Sequence, residues 1–353
     1  MMKFDSLFII VSLCPYHNVV NVLSCGNGSP IIRNRNHNDT SRIAVYSRDE
    51  PLRSSYMNEE SVFQAHRFLL FSIAYRMLGS TMDAEDCVQE TFLRWHRACE
   101  SGEAEGIQSP RSYLCTVITR LCIDFLRSAR VQREAYVGVW LPEPLVTTYQ
   151  SNSPTDPEAS VEQSESLSLA FLRLLEYLSP LERAVFLLRQ VFDFEYDEIA
   201  TFVQKSADNC RQIMRRARQH LAEHHHHYNV PPQQREQLTY QFIQACTDGN
   251  MQGLLTLLAD DVEMHSDGGG KVHAALKPIY GADKVARGLL GIMRKAPPEI
   301  TSRLALVNGH LGIMSYLDGK PYAVLVFSLA GDHIQEIDLV VNPDKLRHIP
   351  SLA

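Results

Sequence analysis

Residues 195–221 read EYDEIATFVQKSADNCRQIMRRARQHL, and the break in the middle of this stretch decides how the surrounding chain is read. A short helix carrying Ile199 and Ala200 is interrupted at Gln204-Lys205-Ser206. A second helix follows with Cys210, Ile213, Met214, Ala217 and Leu221 at the spacing of one buried face. Two short helices joined by a tight turn, each with one inward stripe, make a helix-turn-helix. The outward side of the second helix carries Asn209, Arg211, Gln212, Arg215, Arg216 and Arg218. Arginine bridges guanine and Asn or Gln bridges adenine in a major groove, and further arginines neutralise phosphates, so this face has the make-up of a duplex reader.

Working upstream, LSPLERAVFLLRQVFDF (178–194) places Ser179 as N-cap, Pro180 at the first helical position and Glu182 where a capping box needs it. The helical part thus spans 161–223. Before it, residues 137–160 carry four prolines and many small polar residues, which reads as a linker. Within it WLPEP (140–144) fixes Trp140 and Leu141 in an extended Pro-rich segment, an arrangement that calls for a docking surface. Earlier still, Pro110 opens a long helix, PRSYLCTVITRLCIDFLRSARVQRE. Leu114, Val117, Ile118, Leu121 and Phe125 form its apolar stripe, leaving Arg111, Arg120, Asp124, Arg127, Arg130 and Arg133 on other faces. Glu60–Arg97 holds two helices divided at Gly79. The second, STMDAEDCVQETFLRWHRA, is capped by Ser80 or Thr81 and buries Val88, Phe92, Leu93 and Trp95 or His96.

Downstream, after HHHH (224–227) and Pro231-Pro232, the pattern changes at 233. Helical segments at 234–247 and 250–259, DDVEMHSDGGG, and the helix GADKVARGLLGIMRKA precede four strand-like runs. Turns at Asn308-Gly309, Asp318-Gly319 and Gly331-Asp332 connect those runs into an antiparallel meander. The expectation is an α+β domain with helices on one face of a curved sheet. DGGGK (267–271) suggests a phosphate cradle, but a P-loop needs glycine and Ser or Thr where His265 and Val272 stand. Gly268, Gly269 and Gly270 are better read as a tight backbone shape that brings the loop against WLPEP or the helical part. The alternative for this domain is an enzyme or small-molecule sensor, with His265, Asp267, Tyr280, Asp283 and His310 as acid-base candidates. Adjacent histidines diverge in direction, so HHHH reads as linker rather than a metal site.

With 353 residues and 45% hydrophobic content, two or three packed domains are expected. A net charge of −7 argues against a surface coated generally in nucleic acid but says nothing of local clusters such as 209–218. Eight cysteines without a CxxC pair predict a reduced, cytoplasmic protein with no structural zinc and no cofactor. The opening MMKFDSLFIIVSLCPYH has too short an apolar run for a signal peptide, and residues 1–56 are read as a disordered or upstream extension.

The wording and order of DAEDCVQETFLRWHRA, PRSYLCTVITRLCIDFLRSAR and LSPLERAVFLLRQVFDFEYDEIA resemble extracytoplasmic-function (ECF) sigma factors of bacterial RNA polymerase. The last third resembles the SnoaL-like, NTF2-type fold, and WLPEP, DGGGK and NPDKL (342–346) are the marks of the ECF subgroup carrying that extension. The resemblance implies a non-enzymatic, multidomain protein: a sigma region 2 helical bundle at 57–136, the linker 137–160, a region 4 helix-turn-helix at 161–223, a second linker at 224–232, and an NTF2-like cone with a curved antiparallel sheet at 233–353. It implies core polymerase contacts, to the β′ clamp through Asp83, Asp86, Gln89, Glu90 and Phe92, and to the β flap. It implies that Arg111, Tyr113, Arg120, Asp124, Arg127 and Arg130 read the −10 element, while Ser206 to Arg218 read the −35 element. Asp208 and Asn209 depart from the small residues common there. Regulation in cis is expected through Trp140, Leu141, Pro142, Asp267, Gly268–Lys271 and the NPDKL residues Asn342, Pro343, Asp344, Lys345 and Leu346.

Overall fold

Gly79 is where the first helix stops, and its backbone shows why: φ is +68°, a conformation glycine adopts without strain, and its N–H reaches Tyr75 O. The structure, a computed structural model, describes residues 51–134, 136–148, 167–222 and 232–352. The histidine run and most of the N-terminal extension lie outside the described residues. Helix α1 is Pro51–Leu78, beginning ahead of the boundary expected at 57. α2 is Thr81–Glu100 and α3 is Pro110–Glu134. α4 (Leu169–Leu174) leads into α5 (Pro180–Gln190), α6 (Tyr196–Val203) and α7 (Ala207–Ala222). The capping box predicted for α5 is present, with Ser179 and Glu182 exchanging hydrogen bonds.

Both helical parts share one continuous core. Leu70, Ile73, Leu114 and Ile118 belong to the same buried cluster as Val185, Leu188, Phe202 and Ile213. α3 is therefore buried on more than its single predicted stripe, because α5 and α6 pack on it. Leu93 departs from its expected burial: it is 44% exposed on α2. Phe92 instead turns inward against Phe63, ring centroids 4.9 Å apart.

The C-terminal part consists of α8 (Pro232–Thr247), α9 (Met251–Leu257) and α10 (Ala282–Lys295) with a seven-stranded sheet. The strands are β1 (Val146–Thr148), β2 (Leu258–Asp267), β3 (Ile279–Tyr280), β4 (Thr301–Val307), β5 (His310–Leu317), β6 (Lys320–Ala330) and β7 (His333–Val340), ordered β1-β4-β5-β6-β7-β2-β3. The predicted meander is β4 to β7, and its turns carry positive φ at Asn308, Gly309, Asp318 and Gly319 as two-residue hairpins require. Register shifts in the β5/β6, β6/β7 and β2/β7 pairs curve the sheet.

Two strands correct the sequence reading. DDVEMHSD was not among the expected strands, yet it lies within β2, paired parallel to β7, so the sheet is mixed rather than purely antiparallel. Its acids obscured an alternation in which Val262 and Met264 face the helices while His265 and Asp267 face the other way. Within the segment read as linker, residues 137–148 dock on the sheet and add a strand the sequence reading did not include, β1, to its edge. One sheet face is covered by α8, α9 and α10 over Met264, Phe327 and Ile337. The opposite face, with Met314, Tyr316, Val324 and Val340, is covered by Leu141 of the linker and Leu169 of α4.

Candidate functional site

The outward face of α7 is exposed. Ser206, Asn209, Arg211, Gln212, Arg215, Arg216 and Arg218 are exposed, while Cys210, Ile213, Met214, Ala217 and Leu221 are buried. Ser206 Oγ accepts from Asn209 N–H and starts the helix. The preceding turn depends on Gln204, a non-glycine residue at φ +54°. Arg211 is held by Asp208 at 2.7 Å and lies over the Tyr196 ring, and Arg218 donates to Gln190 Oε1 at 3.0 Å.

On α2, Asp86 and Gln89 are exposed and Asp83 and Glu90 half-buried, Glu90 pairing with Arg94. On α3 the sequence candidates divide. Asp124 and Arg127 pair with each other at the surface, and Tyr113 packs against Trp95. The side chain of Arg130 lies outside the described residues. Arg111 and Arg120 are engaged elsewhere in the chain. Arg120 donates to the carbonyls of Thr201 and Phe202, 3.2 and 3.1 Å away at the C-terminal end of α6, and the Arg111 guanidinium stacks over Phe194. A helix C-terminus presents unpaired carbonyls and partial negative charge, a natural seat for a guanidinium. The two helical parts are also joined by Arg183, which donates to Met77 O, and by Arg76 over Phe192; burial lowers the Arg76 guanidinium to about 10.

The three short motifs meet at one buried carboxylate. Asp267 is fully buried and accepts from Leu141 N–H at 2.8 Å, Tyr136 Oη at 2.5 Å and Lys345 Nζ at 2.7 Å. Lys345 also donates to Leu141 O and lies over the Trp140 and Tyr136 rings. Burial first, then the hydrogen bond to Asp267 and its charge, raises the Tyr136 phenol. Asn342 donates to Tyr136 Oη and caps the turn Pro343–Leu346. The glycines are required here: a Cβ on Gly269 would stand 2.3 Å from Asn342 Nδ2, and Gly269 and Gly270 both have positive φ. Lys271 pairs with Asp344 at the rim. Leu346 lies in the buried cluster with Leu141, and Pro142 is buried beside Trp140 against Gly79.

Two further contacts went unnoticed in the sequence. Arg173 of α4 donates to Asp338 at 2.7 Å, meets Glu336 at 2.8 Å and touches His265. Burial raises the Asp338 carboxyl, but Arg173 and His265 outweigh it and leave it below its ordinary value; burial prevails at Glu336, which is raised. An arginine within LSLAFLRLLEYL was the available signal, since a charge in an otherwise apolar helix needs a partner. Asn308, at the β4–β5 turn, donates to Tyr75 Oη on α1 and to Leu167 O, and accepts from Leu145 N–H. Of the acid-base set considered for an enzyme, Asp267 holds the linker, His265 meets Arg173, Asp283 pairs with Arg287, Tyr280 is exposed and His310 is half-buried at the start of β5.

Known proteins bear on this arrangement. The family described as Sigma-70 region 2 matches residues 62–131, and Sigma-70, region 4 matches 168–221. The chain is 38% identical over 266 residues to the ECF RNA polymerase sigma factor SigJ of Mycobacterium tuberculosis H37Rv, spanning 74% of this chain and 82% of that protein. It is 32% identical over 289 residues to a probable ECF RNA polymerase sigma factor, SigI, of the same strain, spanning 81% and 94%. The crystal structure of M. tuberculosis SigJ superposes with a TM-score of 0.65 at 32% identity, covering 82% of this chain and 98% of the other. Among the described residues no helix is long and apolar enough to cross a membrane. Matched through both helical parts and onward into the helix-plus-sheet part, the chain belongs to the ECF RNA polymerase sigma factors, in a form with a C-terminal helix-plus-sheet domain.

Proposed function

We propose that this ECF sigma factor is held by its own C-terminal domain in a closed form in which the −10-reading and −35-reading parts mask each other in part. As a sigma factor it binds core RNA polymerase and promoter DNA and is not an enzyme. The observation that carries the cis regulation is the placement of Arg120: a −10 candidate spends its donors on the carbonyls that end α6 of the helix-turn-helix. Arg111 over Phe194 repeats the theme. The C-terminal sheet grips both segments that would have to move, the linker through Asp267 and Lys345, and α4 through Arg173. Tethering gives such intramolecular contacts a high effective concentration, so modest contacts suffice to close the chain.

In this reading Asp83, Asp86, Gln89 and Glu90 face the β′ clamp, with Phe92 contributing only its outer edge. Region 4 meets the β flap, α3 reads the −10 element after separation, and α7 reads the −35 element. The site of action in this reading is the bacterial cytoplasm. Run-off transcription with purified core polymerase tests the proposal. Chains ending near 222 and near 341 are expected to differ from the full chain in transcript yield at saturating sigma factor; equal yields from all three would remove cis regulation.

Two effects are expected on α7. Arg215→Ala should weaken promoter binding across sequences and lower the slope of log affinity against log salt by about one, as loss of a phosphate contact does. Asp208→Ala should tighten −35 binding about two- to fivefold by freeing Arg211 from an exposed ion pair. Electrophoretic mobility shifts across a salt series measure both.

A further inference from the structure

The first turn of α2 is capped from outside its own helix. Ser80 accepts from Asp83 N–H, the third backbone donor of that turn. The two donors before it are taken by Glu143, the acid of WLPEP. Its carboxylate accepts from Thr81 N–H at 2.7 Å, Thr81 Oγ1 at 2.5 Å and Met82 N–H at 3.4 Å, and from Ser80 Oγ at 3.0 Å. Its backbone is fixed as well, with its N–H on Gly79 O and its carbonyl receiving Tyr75 Oη. A negative charge at a helix N-terminus satisfies orphan amides and complements the helix dipole.

Glu143 is two residues from Leu141, whose N–H and carbonyl are held by Asp267 and Lys345. Pro142 and Pro144 restrict the backbone on both sides, so the segment moves as a stiff arm. Gly79 adds close fit: a Cβ there would stand 2.7 Å from Trp140 Cη2. The arm thus runs from the buried Asp267 of the C-terminal domain to the start of the helix that carries Asp86 and Gln89.

We propose that Glu143 is a positioning residue for core polymerase binding: it sets the first turn of α2 and transmits to that helix whether the C-terminal domain holds the linker. This rests on the reading of α2 as the polymerase-facing helix. The test is titration of the labelled full-length chain with core polymerase. Glu143→Gln should bind core about five- to tenfold more weakly, the range expected for loss of a charged N-terminal cap. Asp267→Asn should weaken core binding about threefold in the parent chain and add nothing in the Glu143→Gln chain, as contacts acting in series require.

Independent, additive losses, or a Glu143→Gln chain that binds core as tightly as the parent, would overturn the proposal. Should Glu143→Gln fail to fold by circular dichroism, Thr81→Val carries the test by removing one hydroxyl donor; a smaller loss of core affinity with the same non-additivity supports the proposal, and additivity overturns it. A control with Asp86→Ala and Gln89→Ala together separates the two levels. Loss of core binding there with Glu143→Gln unaffected overturns the capping role alone. No loss there overturns the reading of α2, and the proposal with it.

Discussion

A chain carrying Asp267→Ala is expected to lose the closed arrangement around its linker. The substitution leaves the Lys345 ammonium buried without its carboxylate and strips the acceptor from Leu141 N–H and Tyr136 Oη in one step. Removing one partner of a buried ion pair costs about 3–5 kcal/mol, far beyond the few tenths typical of a surface change. That cost falls on the docked state of residues 136–144, because the sheet and its helix-covered face are held by a separate core. Hydrogen exchange should therefore rise over 136–145 while Val262, Met264 and Ile337 stay protected. At saturating sigma factor, transcript yield per core polymerase should increase, since α3 is no longer tethered beside region 4. Unaltered exchange at Leu141 would show that Asp267 is not what holds the linker.

The second large effect is expected at the other grip. Arg173→Met keeps the length of the side chain and removes its charge, leaving Asp338 buried and Glu336 beside it with no cation between them. Two neighbouring carboxylates in a buried setting repel, and one takes up a proton. The cost is about 2–4 kcal/mol, lower than a fully buried pair because Arg173 keeps some solvent contact. Exchange should then rise across α4 and the segment leading to α5, with the linker contacts at 136–145 unchanged. A rise at both grips together would mean that the two contacts open as one unit.

These grips explain which parts of the molecule the sequence disclosed. The helix-turn-helix was legible because its signals are local: an apolar stripe through Ile213 and Ala217, a break at Gln204 and a capping box at Ser179. The meander was legible because Asn308-Gly309 and Asp318-Gly319 allow only tight hairpins. WLPEP, DGGGK and NPDKL could be marked as regulatory contacts, but not joined atom by atom, since Asp267 and Leu141 are 126 residues apart in the chain. β2 was missed because Asp260, Asp261 and Glu263 mask its alternation, and its parallel pairing with β7 needs a partner some seventy residues away. Arg120 was taken for a free DNA ligand because nothing near it in sequence offers acceptors. Its carbonyl partners belong to the opposite helical part. Long-range polar contacts of this kind leave only one trace in a sequence, a charged residue standing where an apolar one would be ordinary, as at Arg173.

The distance between region 2 and region 4 in solution tests the closed form most directly. With spectroscopic labels placed by site-specific incorporation at the exposed positions Ser128 and Lys205, the free full-length chain should give a single short separation. Addition of core polymerase and promoter DNA should lengthen it, and Asp267→Ala should lengthen it without either. One unchanged separation in the free chain, in the transcribing complex and in the variant would contradict the account.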